Sequence, residues 1–212
     1  MVHLCARGKN FICYNDFRKQ GNEKPQQNKS KLKEIIKMEK RIVPQLKGIN
    51  DYYDQPYNEI YRSVVDIAKD VRRIDSNTSE GIEKCKWVAA MINMLFDIAM
   101  HNAAKILHQK SIEFNYESFV AEHKDEAQAR RYKQRALSEY EYAYELMWCV
   151  DYDAAMLNVS ADASDVEVEK SLWIMAMCEV LSEVNMDVIY PAFRKIDFHF
   201  NWETFAEEHG LL

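Results

Sequence analysis

Apolar side chains recur three and four positions apart along most of this chain, which is the spacing of a helical face and not of a strand. Between Lys31 and Lys47 they are Leu32, Ile35, Ile36, Ile42, Val43 and Leu46, separated by lysines, and they predict a basic amphipathic helix. Further helices are predicted from about Tyr57 to Ile74, from Ser79 to Gln109 with Ser79 or Asn77 as N-cap, and from about Glu126 to Leu157. A last long helix should run from Asp165 to Ile189 and stop at Pro191. Two stretches, Trp87 to Met100 and Trp173 to Met186, are apolar nearly all the way round, as helices inside a protein are.

Those two stretches belong to a longer correspondence. Phe114-Asn115-Tyr116-Glu117-Ser118-Phe119 returns 86 positions later as Phe200-Asn201-Trp202-Glu203-Thr204-Phe205, each followed by Glu-His. Carried backwards without a gap, the register pairs Trp87 with Trp173, Leu95 with Leu181, and Glu83-Lys84 with Glu169-Lys170. Further up it pairs Glu59, Val64 and Ala68 with Glu145, Val150 and Ala154. The expected fold is therefore all-α: an internally duplicated helical bundle of two hairpin units related by a pseudo-twofold axis. The predicted parts are an N-terminal segment and linker (1–30), a first helical repeat (31–126) and a second (127–212), the repeats forming one compact domain. Pro56 interrupts the first copy where the second has Tyr142, so the helix should run unbroken there.

The returning motif has a local physical meaning. Asn115 is a good N-cap, Glu117 sits where the helix dipole favours a carboxylate, and Phe114 and Phe119 occupy the two positions of a hydrophobic staple. His123 and His209 close the two short helices, where a cation is favoured. Ahead of all this, two short apolar runs around Arg7-Gly8-Lys9-Asn10 allow a β-hairpin, and Asp16 to Ser30 reads as a linker.

Composition narrows the class. The chain has 212 residues, 48% hydrophobic and 29% charged, with only 5 Gly and 4 Pro, which favours helices. No apolar run is long enough to span a membrane, and Met1 to Tyr14 lacks the apolar core of a signal peptide, so a cytoplasmic protein is expected. The 5 cysteines have no disulfide-framework spacing and should be reduced. His3, Cys5 and Cys13 offer three zinc ligands without an evident fourth.

Candidate chemistry sits on the two greasy helices. Asn93, Asp97 and His101 fall at i, i+4 and i+8, and so do Glu179, Glu183 and Asp187. If the helices pack together, Asp97, His101, Glu179, Glu183 and Asp187 converge. Buried carboxylates need a cation or a proton, and this oxygen-rich set would suit Mg²⁺ or Mn²⁺ in a hydrolase of a nucleotide or phosphoester. No P-loop, dinucleotide turn, nucleophile elbow or His-Glu-x-x-His is present.

Charge suggests two more readings. Residues 1–48 hold 12 Lys+Arg against 4 Asp+Glu, leaving 16 against 30 for the remainder. The basic segment could bind nucleic acid through Lys31, Lys33, Lys37, Lys40 and Arg41. The acidic, tyrosine-rich remainder could hold a protein partner through Tyr140, Tyr142, Tyr144 and Trp148, since such residues anchor interfaces. Without a catalytic motif, the sequence favours the last: a non-enzymatic acidic interaction, adaptor or inhibitor protein.

Overall fold

The computed structural model describes residues 56–124 and 132–211. Its helices all lie in one compact unit, Gly48–Gly210, and no strand occurs among the described residues. The fold is all-α. The predicted hairpin, linker and basic helix lie outside the described residues.

Helix α1 (Tyr57–Val71) begins immediately after Pro56, and its buried face is Ile60, Tyr61, Val64, Ile67, Ala68 and Val71, the spacing of one amphipathic side. Helix α2 (Ser79–Leu95) is capped by Thr78, between the two residues expected, whose hydroxyl accepts from the Gly81 amide at 3.0 Å. Gly81 is required there: a Cβ would lie 2.1 Å from the Asp75 carbonyl oxygen. Helix α3 (Ile98–Gln109) follows, then α4 (Tyr116–Glu122), α5 (Leu137–Ala155) and α6 (Asp165–Val184). A π-helical segment, Asn185–Ile189, joins α6 to α7 (Tyr190–Lys195), and α8 (Trp202–Glu208) ends the order. No described helix is long and apolar enough to cross a membrane.

Three predicted helices differ from those observed. The helix expected over Ser79 to Gln109 breaks at Phe96 and Asp97, because a carboxylate from another helix takes over as cap: Asp151 Oδ1 of α5 accepts from the Ala99 amide at 2.9 Å. The helix expected from Glu126 begins at Leu137. Residues 132–136 are instead non-helical, which carries Tyr132 to Asp70 (3.1 Å) and Arg135 to Asp66 (2.7 Å) on α1. Pro191 does not stop the last helix. The Tyr190 amide bonds back to the Asn185 carbonyl, five residues earlier, and this wider turn carries the helix past a residue with no N–H to give. Helix α5 does run unbroken through Tyr142, as expected.

The short helices match closely. Asn115 and Asn201 each accept from the amide three residues on, at 2.8 Å in both cases. Their staples close with ring centroids 5.8 Å apart for Phe114 and Phe119, and 5.6 Å for Phe200 and Phe205. His123 and His209 each turn Nδ1 onto the carbonyl four residues back, which fixes that nitrogen as the donor.

Packing then crosses between the halves of the chain. Helix α2 packs most extensively on α5, and α6 on α1 and α3, whereas α2 and α6 touch each other only over a short stretch. Trp173 of α6 receives Phe119 and His123 edge-on, while Trp87 of α2 receives Phe205 and His209. Tyr61 of α1 completes the first cluster at 5.4 Å and Tyr144 of α5 the second at 5.6 Å. The tryptophans and short helices keep the 86-residue spacing, but Tyr61 and Tyr144 are 83 apart. The difference of three is taken up at the junction to the next helix: α5 ends one residue later relative to Tyr144 than α1 does relative to Tyr61, and the connector 156–164 is two residues longer than 72–78.

Candidate functional site

The polar stripes do not go indoors together. Asn93, Asp97, His101, Glu183 and Asp187 are exposed and Glu179 is half-buried. The cause is the crossed packing: α2 and α6 are covered mainly by helices other than one another, so the stripes are left facing water. Among the described residues, no group of three or more His, Cys, Asp or Glu side chains could hold a metal ion.

One end of the acidic stripe does meet other polar groups. Arg72 donates to Glu183 at 3.1 Å, and the Tyr61 and Tyr116 hydroxyls lie 2.9 Å apart beside it. Burial, with Glu183 second, holds the Glu179 carboxyl above its usual range. Burial likewise raises the Tyr61 and Tyr116 phenols, so both stay protonated as donors.

The charged groups that are deeply buried are different residues. Asp70 is 0% and Lys84 1% exposed. Asp70 Oδ2 accepts from the Tyr140 hydroxyl at 2.9 Å and lies 3.7 Å from Lys84 Nζ, while Oδ1 accepts from Tyr132 at 3.1 Å. Lys84 reaches Glu80 at 3.1 Å and lies 5.6 Å from the Tyr140 ring centroid. Burial raises the Tyr140 phenol far above the ordinary value, with Asp70 adding to it, so the phenol remains a donor. Beside this group, Arg135 joins Asp66 to Glu139 at 2.7 and 2.9 Å, and Arg73 stacks 4.0 Å from the Tyr132 ring centroid.

The same three residue types meet a second time with the helices exchanged. Asp153 of α5 accepts from Tyr57 of α1 at 2.6 Å and from Lys170 of α6 at 2.7 Å, and Lys170 lies 5.6 Å from the Tyr57 ring centroid. This copy is shallower, with the lysine side chain 31% exposed and the aspartate 34%. Tyr57 and Tyr140 are 83 residues apart, as are Asp70 and Asp153, whereas the lysines are 86 apart. Each trio ties an outer helix of one half to the inner helix of the same half and the outer helix of the other. Both oxygens of Asp70 are engaged, so its chemistry is that of an anchor.

Asp151 is the other perturbed carboxylate. Burial pushes it up to about 7, against the pull of the Ala99 and Ile98 amides and with Asp97 adding to the rise. Burial also pushes the Cys85 and Cys149 thiols up to about 11 and raises Cys178. Buried, protonated thiols are poor nucleophiles.

The residues expected to hold a partner separate by depth. Tyr140, Tyr144 and Trp148 are core residues, and Tyr142 is exposed. Helix α5 is a central element packed on α1, α2 and α3, so three of four aromatic side chains turn inward. Lys31, Lys33, Lys37, Lys40 and Arg41, together with His3, Cys5 and Cys13, lie outside the described residues.

No protein-family model matches the chain, and no curated protein or solved structure is significantly similar to it.

The Lys-Asp-Tyr trios escape a reading based on helical wheels, because Asp70 and Lys84 look like surface residues on their own helices. A signal was nevertheless present. Tyr57 precedes Asp70 by the same 13 residues that separate Tyr140 from Asp153, and the lysines follow the 86-residue spacing.

Proposed function

We propose that this chain is a non-enzymatic helical interaction protein that holds a basic protein partner on the outer face of α5 and the start of α6. The observation that carries the reading is a charge segregation along these elements. From Ala136 to Glu169 the chain has 9 Asp+Glu and no Lys, Arg or His. On this acidic surface large apolar side chains stand out: Tyr142 is 37%, Met156 69% and Val166 61% exposed. Apolar anchors within a field of one sign suit a partner of the opposite sign, the charges steering the encounter and the anchors slowing release. The paired carboxylates support the same reading, since the buried Asp66 and Asp70 and the half-buried Asp153 are occupied by Arg135, Lys84, Lys170 and tyrosine hydroxyls. We also read the two crossed tryptophan clusters and the two Lys-Asp-Tyr trios as relics of one helical unit that was duplicated with a three-residue change between the end of its first helix and the start of its second.

Photocrosslinking tests the binding surface. With benzoylphenylalanine in place of Tyr142, a distinct protein adduct should form in cell extract, diminish at high salt, and disappear when Glu141→Lys and Glu145→Lys are added. The same adducts from a probe placed at Glu117, on α4, would contradict the assignment.

A further inference from the structure

The π segment and α7 carry a second exposed stripe, remote in sequence from the α5 face. Glu183, Asp187, Tyr190 and Arg194 follow one another at three- and four-residue intervals, Pro191 lies beside Tyr190, and all five are exposed, with Met186 at the edge. Tyr190 is 53% and Met186 46% exposed. Glu183 is already paired with Arg72, at 3.1 Å, and Lys195 bonds to Asn77. Among the described residues, neither Asp187 nor Arg194 makes an ion pair or a side-chain hydrogen bond. The stripe therefore has a free negative charge at one end, a free positive charge two turns further on, and an apolar centre between them.

Such an order is complementary to itself when reversed. Asp187 and Arg194 are seven residues apart, about 10 Å along a helix. Turning a second copy by a two-fold rotation near Tyr190 sets each aspartate opposite the other copy's arginine and brings the two apolar centres together. A parallel arrangement would set aspartate against aspartate. We propose that the chain pairs with a second copy of itself through this stripe, in an antiparallel, isologous contact in which Asp187 of each copy faces Arg194 of the other. One short helical face gives a contact at the small end of specific interfaces, so the dimer is a weak one that forms and separates readily.

The charge order makes the test decisive. Sedimentation equilibrium of the full chain, up to about 1 mM, should show reversible dimerisation that weakens as salt rises from about 50 to about 500 mM. Asp187→Arg and Arg194→Asp should each weaken it at least about tenfold, with circular dichroism confirming that the helices persist. Two combinations should restore dimers: the double variant Asp187→Arg/Arg194→Asp, and an equimolar mixture of the two single variants, which can pair only with one another. A chain that stays monomeric throughout overturns the proposal. So does dimerisation indifferent to the single variants, or loss that neither combination repairs.

Discussion

Trp173 on α6 stands edge-on to Phe119 on α4, with ring centroids 4.7 Å apart and an interplanar angle of 83°, and the geometry returns between Trp87 and Phe205 at 4.8 Å and 87°. Each inner helix is thus closed by the short helix of the other half. Phe119 and Phe205 are 5% and 3% exposed, so truncating either to alanine removes a buried ring from a packed aromatic cluster. Phe119→Ala and Phe205→Ala should each cost about 3–5 kcal/mol in urea unfolding, and the two costs should be similar.

The paired asparagine caps predict smaller, matched effects. Asn115→Ala and Asn201→Ala each leave one helix amide without its acceptor, and each should cost about 1 kcal/mol. Thermal melts should show nearly equal shifts, because the cap distances are the same.

The two Lys-Asp-Tyr trios should respond unequally, because they differ in depth. Lys84→Met strands Asp70 in the interior, and a loss of about 3–5 kcal/mol is expected. Lys170→Met leaves Asp153 in contact with water and with Tyr57, so the expected loss is at most about 1 kcal/mol. Urea unfolding of the two variants side by side checks the contrast; equal losses would contradict the anchoring role given to the buried trio.

Asp151 predicts a pH dependence of the less common sign. Its folded value, about 7, lies above the ordinary 3.8, so the folded chain holds a proton that the unfolded chain releases. The stability contributed by this group is present below the unfolded value and is lost as pH rises towards 7, remaining flat above that. Asp151→Asn keeps an acceptor for the Ala99 amide and removes the charge. It should flatten the slope between roughly pH 4 and 7 and stabilise the protein at pH 8 by on the order of 2–4 kcal/mol.

The parts of the fold that were legible in the sequence are those decided by local forces. Asn115, Phe114 and Phe119 define a cap and a staple within six residues, and Trp87 and Trp173 lie on segments too apolar to face water. What escaped was decided by distant partners. The break at Asp97 depends on Asp151, 54 positions away, and the late start of α5 depends on Tyr132 and Arg135 reaching back to α1. The polar stripes were visible, but their depth was not, because helical periodicity tells which residues share a face and not what covers it. Asp70 and Lys84 failed in the opposite direction: their chemistry suggests surface, and only the approach of Tyr140 and Tyr132 from α5 and its approach segment makes their burial tolerable.

Through Trp87 and Trp173 the two halves of the chain interlock into one cooperative body. Hydrogen exchange on Phe205→Ala tests it most directly, by following the amides of α2 and α6 together. The prediction is that protection falls by the same factor in both helices, through one shared opening, although Phe205 touches only the Trp87 cluster. Faster exchange confined to α8 and α2, with α6 unchanged, would contradict it.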